Sequence, residues 1–473
     1  MLLKKASIVS VIALAVGVSA VSAASAAPVA TATKASAVKI SKFGYIVNGV
    51  PVSLSVFFEK GRTLVSVKEL SDKLGADIQS ANGVVTVKLN DHVATFKAGS
   101  NELNVDGVAV KLDVVVKSVN GSTFIDMRDF VGALGGSFNK DVTGATWIDA
   151  DLVSDVDHVQ WANASKLIAS QETETGRIDY LVDAVTGQYT KLLNAADASD
   201  LVVAPNGDKA AYTNAAGEVF VIDLASKNAT KVSTDTSIKP ELVWAADASA
   251  IYFLQGDKGS VIAKLDLADG KITKILEDKV DYKSNLDVST DGKTFTYAVT
   301  KPGAVVADAN KPVEDDDVAI DMKGTEPQLF QFVVDPAVKD AKAVQLTTST
   351  DDKVFIHAAA DGSSVTYVSA SDDANVKSKL LQVGKDKTVK TLFDAKDVYQ
   401  ATLSNGKWYL LTEGDGSSQS VYEVNAATGS ANVIGTVSEG VTEIVAKSGA
   451  PLAVINDGIL SVNVNGLWKP TSR

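Results

Sequence analysis

Along this chain the spacing of apolar side chains changes twice. Near the start, Ile8 to Val21 is an almost wholly apolar stretch. Between residues 39 and 150, runs of period two are interrupted by two short runs at i, i+3 and i+7, which predicts strands broken by amphipathic helices. From residue 151 onward the runs are short, β-rich and punctuated by Gly, Asn and Asp, with little helical period. The expected fold is mainly β: a small α+β region, then a long β-repeat region.

The apolar start reads as an export signal. Lys4 and Lys5 precede the apolar stretch, and Ala24-Ser25-Ala26 offers small side chains for cleavage. Residues 1–26 are therefore expected to be a signal peptide, cut after Ala26, with 27–38 as a linker. A membrane anchor is the alternative, but the uninterrupted apolar run falls short of the roughly 20 residues that span a bilayer. No membrane span is expected after cleavage.

The α+β region repeats once. Gly61-Arg62-Thr63-Leu64-Val65-Ser66-Val67 returns 60 residues later as Gly121-Ser122-Thr123-Phe124-Ile125-Asp126-Met127. Each copy runs into a helix with one buried stripe, Val67, Leu70 and Leu74 in the first and Met127, Phe130 and Leu134 in the second. Ser66 with Glu69 predicts a capping box, Asp126 a cap for the second helix, and Gly75 and Gly135 the left-handed positions that end them. Turns at Asn82-Gly83 and Asp106-Gly107 predict hairpins, and Val47-Asn48-Gly49-Val50-Pro51-Val52 recurs as Val105-Asp106-Gly107-Val108-Ala109-Val110.

The order Val-Asn-Gly-x-Pro-Val, Gly-Arg-Thr-Leu-Val, then a helix ending Leu-Gly-Ala resembles the copper amine oxidase N-terminal-like domain over residues 39–150. The resemblance implies a stalk or envelope-associated appendage of exported bacterial proteins. It implies neither the copper site nor the redox cofactor of the oxidase, so no amine oxidase activity is expected. The chain departs from the usual pattern with Ser66 and Asp126 where proline is common. It also lacks a tryptophan directly after either helix, at 77–79 or 137–139.

The second region repeats with a longer period. Turn anchors stand at Asn163, Asn206, Asp247, Asp291, Asp361, Asn405 and Ser448, with gaps of 43, 41, 44, 70, 44 and 43 residues. One insertion, at 302–327, accounts for the long gap, and the rest fits the roughly 40 to 45 residues of a four-stranded propeller blade. The unit is clearest from Leu201 to Leu224, where strand, turn, strand, turn and strand follow in order. It returns with an aromatic residue in the second strand, at Tyr297, Tyr367 and Trp408.

Such strings are similar to the TolB-like or WD40-like propeller repeat, with Trp161 and Trp244 in its tryptophan place. The likeness covers residues 157 to 473 and implies a β-propeller over 151–473. Seven blades are expected, with Leu452 to Ile455 and Ile459 to Val464 in the last and a strand near Trp147 to Val153 closing the ring. Six blades with a capping sheet is the alternative.

Composition narrows the chemistry. Net charge is -13, moving to -15 when Lys4 and Lys5 are lost, a sign that repels nucleic acid and anionic lipid. The absence of cysteine excludes disulfides, a cysteine-linked lipid anchor and thiol catalysis. His92, His158 and His357 are scattered without metal-ligand spacing and are expected to be surface or strand histidines. Neither a Gly-x-Ser-x-Gly elbow nor a phosphate-binding glycine loop is present.

No catalytic or cofactor-binding residue is therefore expected. The one metal candidate is calcium at Glu314, Asp315, Asp316, Asp317 and Asp321, against which stands a solvated acidic loop without EF-hand spacing. Asp149, Asp151, Asp155 and Asp157 at the domain junction carry the same ambiguity. The function expected is a secreted, non-catalytic binding or scaffold protein of the cell envelope, extracellular or wall-associated in a Gram-positive bacterium, taking an envelope protein or glycan. A propeller enzyme with its site at the central channel and a structural surface-layer component are the alternatives.

Overall fold

A computed structural model describes residues 38–48, 50–140, 144–306, 319–338 and 340–472. Strands dominate, with two helices among the described residues: α1, Val67–Leu74, and α2, Met127–Ala133. Neither is long and apolar enough to cross a membrane.

The duplication is visible as symmetry. Strand Arg62–Ser66 pairs antiparallel with Ser122–Asp126, in register Leu64↔Asp126, Val65↔Ile125 and Ser66↔Phe124. Val65 and Ile125 are equivalent positions of the repeat, so the two copies meet about a local two-fold through that pair. Around it run a seven-stranded and a five-stranded sheet. Leu70, Leu74, Phe130 and Leu134 fill the core between the elements, each almost wholly buried.

The helix ends follow the local sequence with one difference. Ser66 Oγ accepts from the Glu69 amide and Asp126 Oδ1 from the amides of Arg128 and Asp129, while Gly75 takes φ 71°. The expected reciprocal bond from Glu69 is absent, because its carboxylate accepts instead from Lys42 Nζ and from the amide and hydroxyl of Ser55. Burial pushes the Glu69 carboxyl up, but these contacts outweigh it and hold it below the usual range.

Beyond the module stand seven antiparallel four-stranded sheets, each built from consecutive strands apart from the inserted hairpin in the fourth. They begin at His158, Val202, Leu242, Lys283, Asp352, Val398 and Val441 and are called blades 1 to 7. The first strands of blades 2 to 7 lie successively against one another, and that of blade 7 lies against that of blade 1. Gln160 of blade 1 donates to Leu201 O beside blade 2, completing a seven-bladed ring.

All seven turn anchors fall between the first and second strands of their blades. The glycine after the anchor allows blades to close up: at Gly207, φ 75°, a Cβ would stand 2.3 Å from Ala162 O of the preceding blade. At Gly362, φ 66°, it would meet Thr294 Cβ at 2.6 Å.

Two expectations are corrected. Strand Thr146–Asp149 does not close the ring; it pairs parallel with Ser41–Val47 and antiparallel with Ser137–Lys140 inside the module. The ring closes through blade 7 alone, whose four strands end at Leu467–Pro470. The insertion is also not wholly a loop, since Ala304–Val306 pairs with Ala319–Asp321 as a ribbon between the second and third strands of blade 4.

Module and propeller meet at blade 1. Asn48 accepts from the Ala150 amide and donates to Thr186 O, Gln188 Nε2 donates to Gly75 O, and Asn90 accepts from the Tyr189 amide. Tyr189 donates its hydroxyl to Asp151 at 2.9 Å. Burial and that carboxylate push the Tyr189 phenol well above its usual range.

Candidate functional site at the propeller channel

The innermost strand of a blade has no strand on its channel side, so its outer row of N–H and C=O groups needs other partners. Polar side chains from neighbouring blades supply several. Glu241 accepts from the amides of Asn285 and Leu286, both at 2.8 Å, joining blade 3 to blade 4. Asp287 accepts from the Ala358 amide at 2.9 Å, joining blades 4 and 5. Gln400 bridges to Ile444 N and Thr442 O, and Glu443 accepts from the Val159 amide across the closing seam.

A second set of contacts seals blade junctions with cations. Lys239, Lys283 and Lys353 have fully buried side chains, each paired with a nearby carboxylate, Asp235, Asp278 and Asp351. Lys239 Nζ also donates to Gly217 O and Ser237 O, Lys283 Nζ to Ser260 O and Val280 O, and Lys353 Nζ to Ser349 O and Asp351 O. A buried ammonium is tolerated only with this many acceptors. The ring of Tyr367 lies under Lys353, and burial pushes its phenol up to about 12.

Between the straps, a cavity of about 400 Å³ opens on blades 2 to 5. Val202, Val203 and Val243 form its apolar wall, and Asn285, Asp287 and His357 its polar wall. The polar wall is aimed by β-bulges, between Ser284 and Asp287 in blade 4 and between Val354 and His357 in blade 5. Within them Asn285 has φ 52° and Phe355 has φ 51°. A bulky residue in the left-handed region costs about 1–3 kcal/mol, and such strain gathers where a surface is shaped for use.

His357 is half exposed, with Nδ1 3.8 Å from Asp287 Oδ2 and its ring 5.5 Å from that of Trp408. At the closing seam, His158 Nδ1 lies 2.9 Å from Glu443 Oε1. The hydrogen bond to Glu443 raises the His158 pKa above its ordinary value against the opposing effect of burial.

Two of the three histidines are thus on innermost strands, where the sequence had marked them only as surface or strand residues. A polar side chain shortly before a turn anchor was the available signal. His92 belongs instead to the module, with Nδ1 2.8 Å from Asp106 and Nε2 3.7 Å from Asp151. Of the calcium candidates, Glu314, Asp315, Asp316 and Asp317 lie outside the described residues. Asp321 ends the ribbon strand and accepts from the Lys323 amide. Among the described residues no three acidic or histidine side chains gather as for a metal.

These features define a seven-bladed β-propeller carrying a duplicated α+β module. Residues 46–148 match the copper amine oxidase N-terminal domain. Solved structures similar to the chain include oligogalacturonate lyase from Vibrio parahaemolyticus, 11% identical with a TM-score of 0.46, covering 68% of this chain and 86% of that one. TolB from Acinetobacter baumannii is 12% identical with a TM-score of 0.38, covering 76% and 78%. Acylaminoacyl peptidase from Pyrococcus horikoshii is 14% identical with a TM-score of 0.46, covering 68% of this chain and about half, 52%, of the peptidase. No curated protein matches the sequence. The propeller assignment rests on the seven sheets and their closure.

Proposed function

We propose that the protein is an exported, non-catalytic binding protein of the bacterial cell envelope. The propeller is its interaction platform and the module its spacer or wall-associated element. The observation that carries this reading is the occupation of the channel carboxylates. Glu241, Asp287 and Glu443 each accept from backbone amides of the next blade. A general acid or base must exchange protons with a substrate, and a carboxylate held by amide donors is poorly placed to do so. The cavity beside them, apolar on one wall and polar on the other, suits a ligand of mixed character, an exposed segment of an envelope protein or a glycan.

The test uses the intact chain against isolated envelope fractions, with and without calcium, beside the variants His357→Ala and Val243→Ser. Retention of one protein or glycan by the wild type, at least tenfold reduced in both variants at unchanged melting temperature, is the expected result. Retention equal in all three overturns the channel as the binding site. Release of an altered, processed component would make the protein an enzyme.

A further inference from the structure

The two copies of the module each leave a groove beside the local two-fold, and the grooves have diverged. One lies between Gly61-Arg62-Thr63 of the first copy and the start of α2, walled by Tyr45, Phe138 and Thr146, with a volume of about 490 Å³. Its symmetry mate lies between Gly121-Ser122-Thr123 and the start of α1, walled by Ile78 and Val85. At equivalent positions the first holds Arg62, Asp126 and Arg128 where the second holds Ser122, Ser66 and Lys68.

Fold alone does not require the change from Ser66 to Asp126. Each cap serves its helix through a single oxygen, Ser66 Oγ accepting one amide and Asp126 Oδ1 two. The aspartate adds a second oxygen, Oδ2, on a residue only 2% exposed, and no hydrogen-bond donor reaches it. The nearest cation, Arg62 Nε, stands 3.8 Å away, and that guanidinium is hydrogen-bonded to Asp113. A buried carboxylate oxygen without a donor costs free energy unless a ligand supplies one. Arg128, on the rim of the same groove, is exposed and forms no ion pair among the described residues.

The groove therefore offers a buried acceptor of negative charge, a free guanidinium and an aromatic wall. We infer that it binds the zwitterion of an α-amino acid with an apolar side chain. The ammonium donates to Asp126 Oδ2, the carboxylate pairs with Arg128, and the side chain lies against Tyr45 and Phe138. Charge-assisted contacts at both ends distinguish such a ligand from any species lacking one of them. The mate groove, with Ser66 for Asp126, has no such acceptor. The inference concerns the module alone and stands or falls independently of the channel reading.

The test is ligand-observed saturation-transfer NMR on the intact chain with L-leucine. A ligand of roughly nine non-hydrogen atoms is expected to bind with a dissociation constant on the order of 1 mM. N-acetyl-L-leucine and L-leucinamide, which lack the ammonium and the carboxylate in turn, should each bind at least about tenfold more weakly. Asp126→Ser, which restores the cap used by the other copy, and Arg128→Gln, on the exposed rim, should each weaken leucine by the same factor without shifting the melting temperature. Lys68→Gln in the mate groove should change nothing. No saturable transfer with leucine at about ten times the expected constant, equal binding of the blocked analogues, or binding indifferent to Asp126→Ser would overturn the inference.

Discussion

Two junctions of the propeller solve one problem in different ways. Where blades 4 and 5 meet, Lys353 is sealed from water against Asp351 and two carbonyl oxygens, while Asp287 straps the inner strands. Where blade 7 meets blade 1 no buried lysine stands among the described residues. The strap is Glu443, its second oxygen is taken by a half-exposed histidine, and the rest is apolar contact among Val156, Val159, Trp161, Ile455 and Leu460. No strand is exchanged across that seam. The junction of blades 4 and 5 thus holds a buried ammonium, and the closing one a half-exposed histidine paired with a carboxylate.

The comparison can be broken most severely at the lysines. Lys353→Ala strips the partner from Asp351 and two carbonyls, and a loss of about 3–5 kcal/mol in chemical denaturation is expected. A loss below about 1 kcal/mol would mean that water replaces the ammonium at no cost. At the seam, Glu443→Ala should cost less, about 1–2 kcal/mol, because one backbone amide and an exposed pair lose their acceptor.

His158 sharpens the contrast by its pH dependence. Its folded pKa is raised by Glu443, so the stability it contributes is fully present below the ordinary histidine pKa of about 6.5 and is lost as pH rises through the folded value. The wild type should therefore exceed His158→Asn in melting temperature at pH about 5.5, and the margin should vanish well above neutrality. The half-exposed ring limits the effect to under about 1 kcal/mol. A margin that grows with pH would contradict the assignment. The smallest effect belongs to the module: Asp126→Ser should stay within about 0.5 kcal/mol, since Ser66 shows the same cap working without a carboxylate.

How much of this was legible in the sequence follows the range of the interactions. The seven turns, the helix caps and the aromatic second strands are local features, and each lies where spacing put it. A strand was expected near Trp147 to Val153 and one runs at Thr146–Asp149, but its parallel neighbour comes from residues about 100 positions earlier and no local signal names it. Glu69 was drawn from its capping role by Lys42, 27 residues away. Nothing in the sequence marks the buried lysines, because their main partners are carbonyl oxygens that sequence does not label. The straps were invisible for the same reason: Glu241 and Asn285 become neighbours only once two blades are side by side.

The account depends on the channel carboxylates being structural, and Glu241 tests this most directly because each of its two oxygens accepts one backbone amide. Equilibrium unfolding of Glu241→Ala should show a loss of about 2 kcal/mol, from two backbone donors left without an acceptor. Unchanged stability would contradict the account, release that carboxylate for chemistry, and return the channel to the reading of an active site.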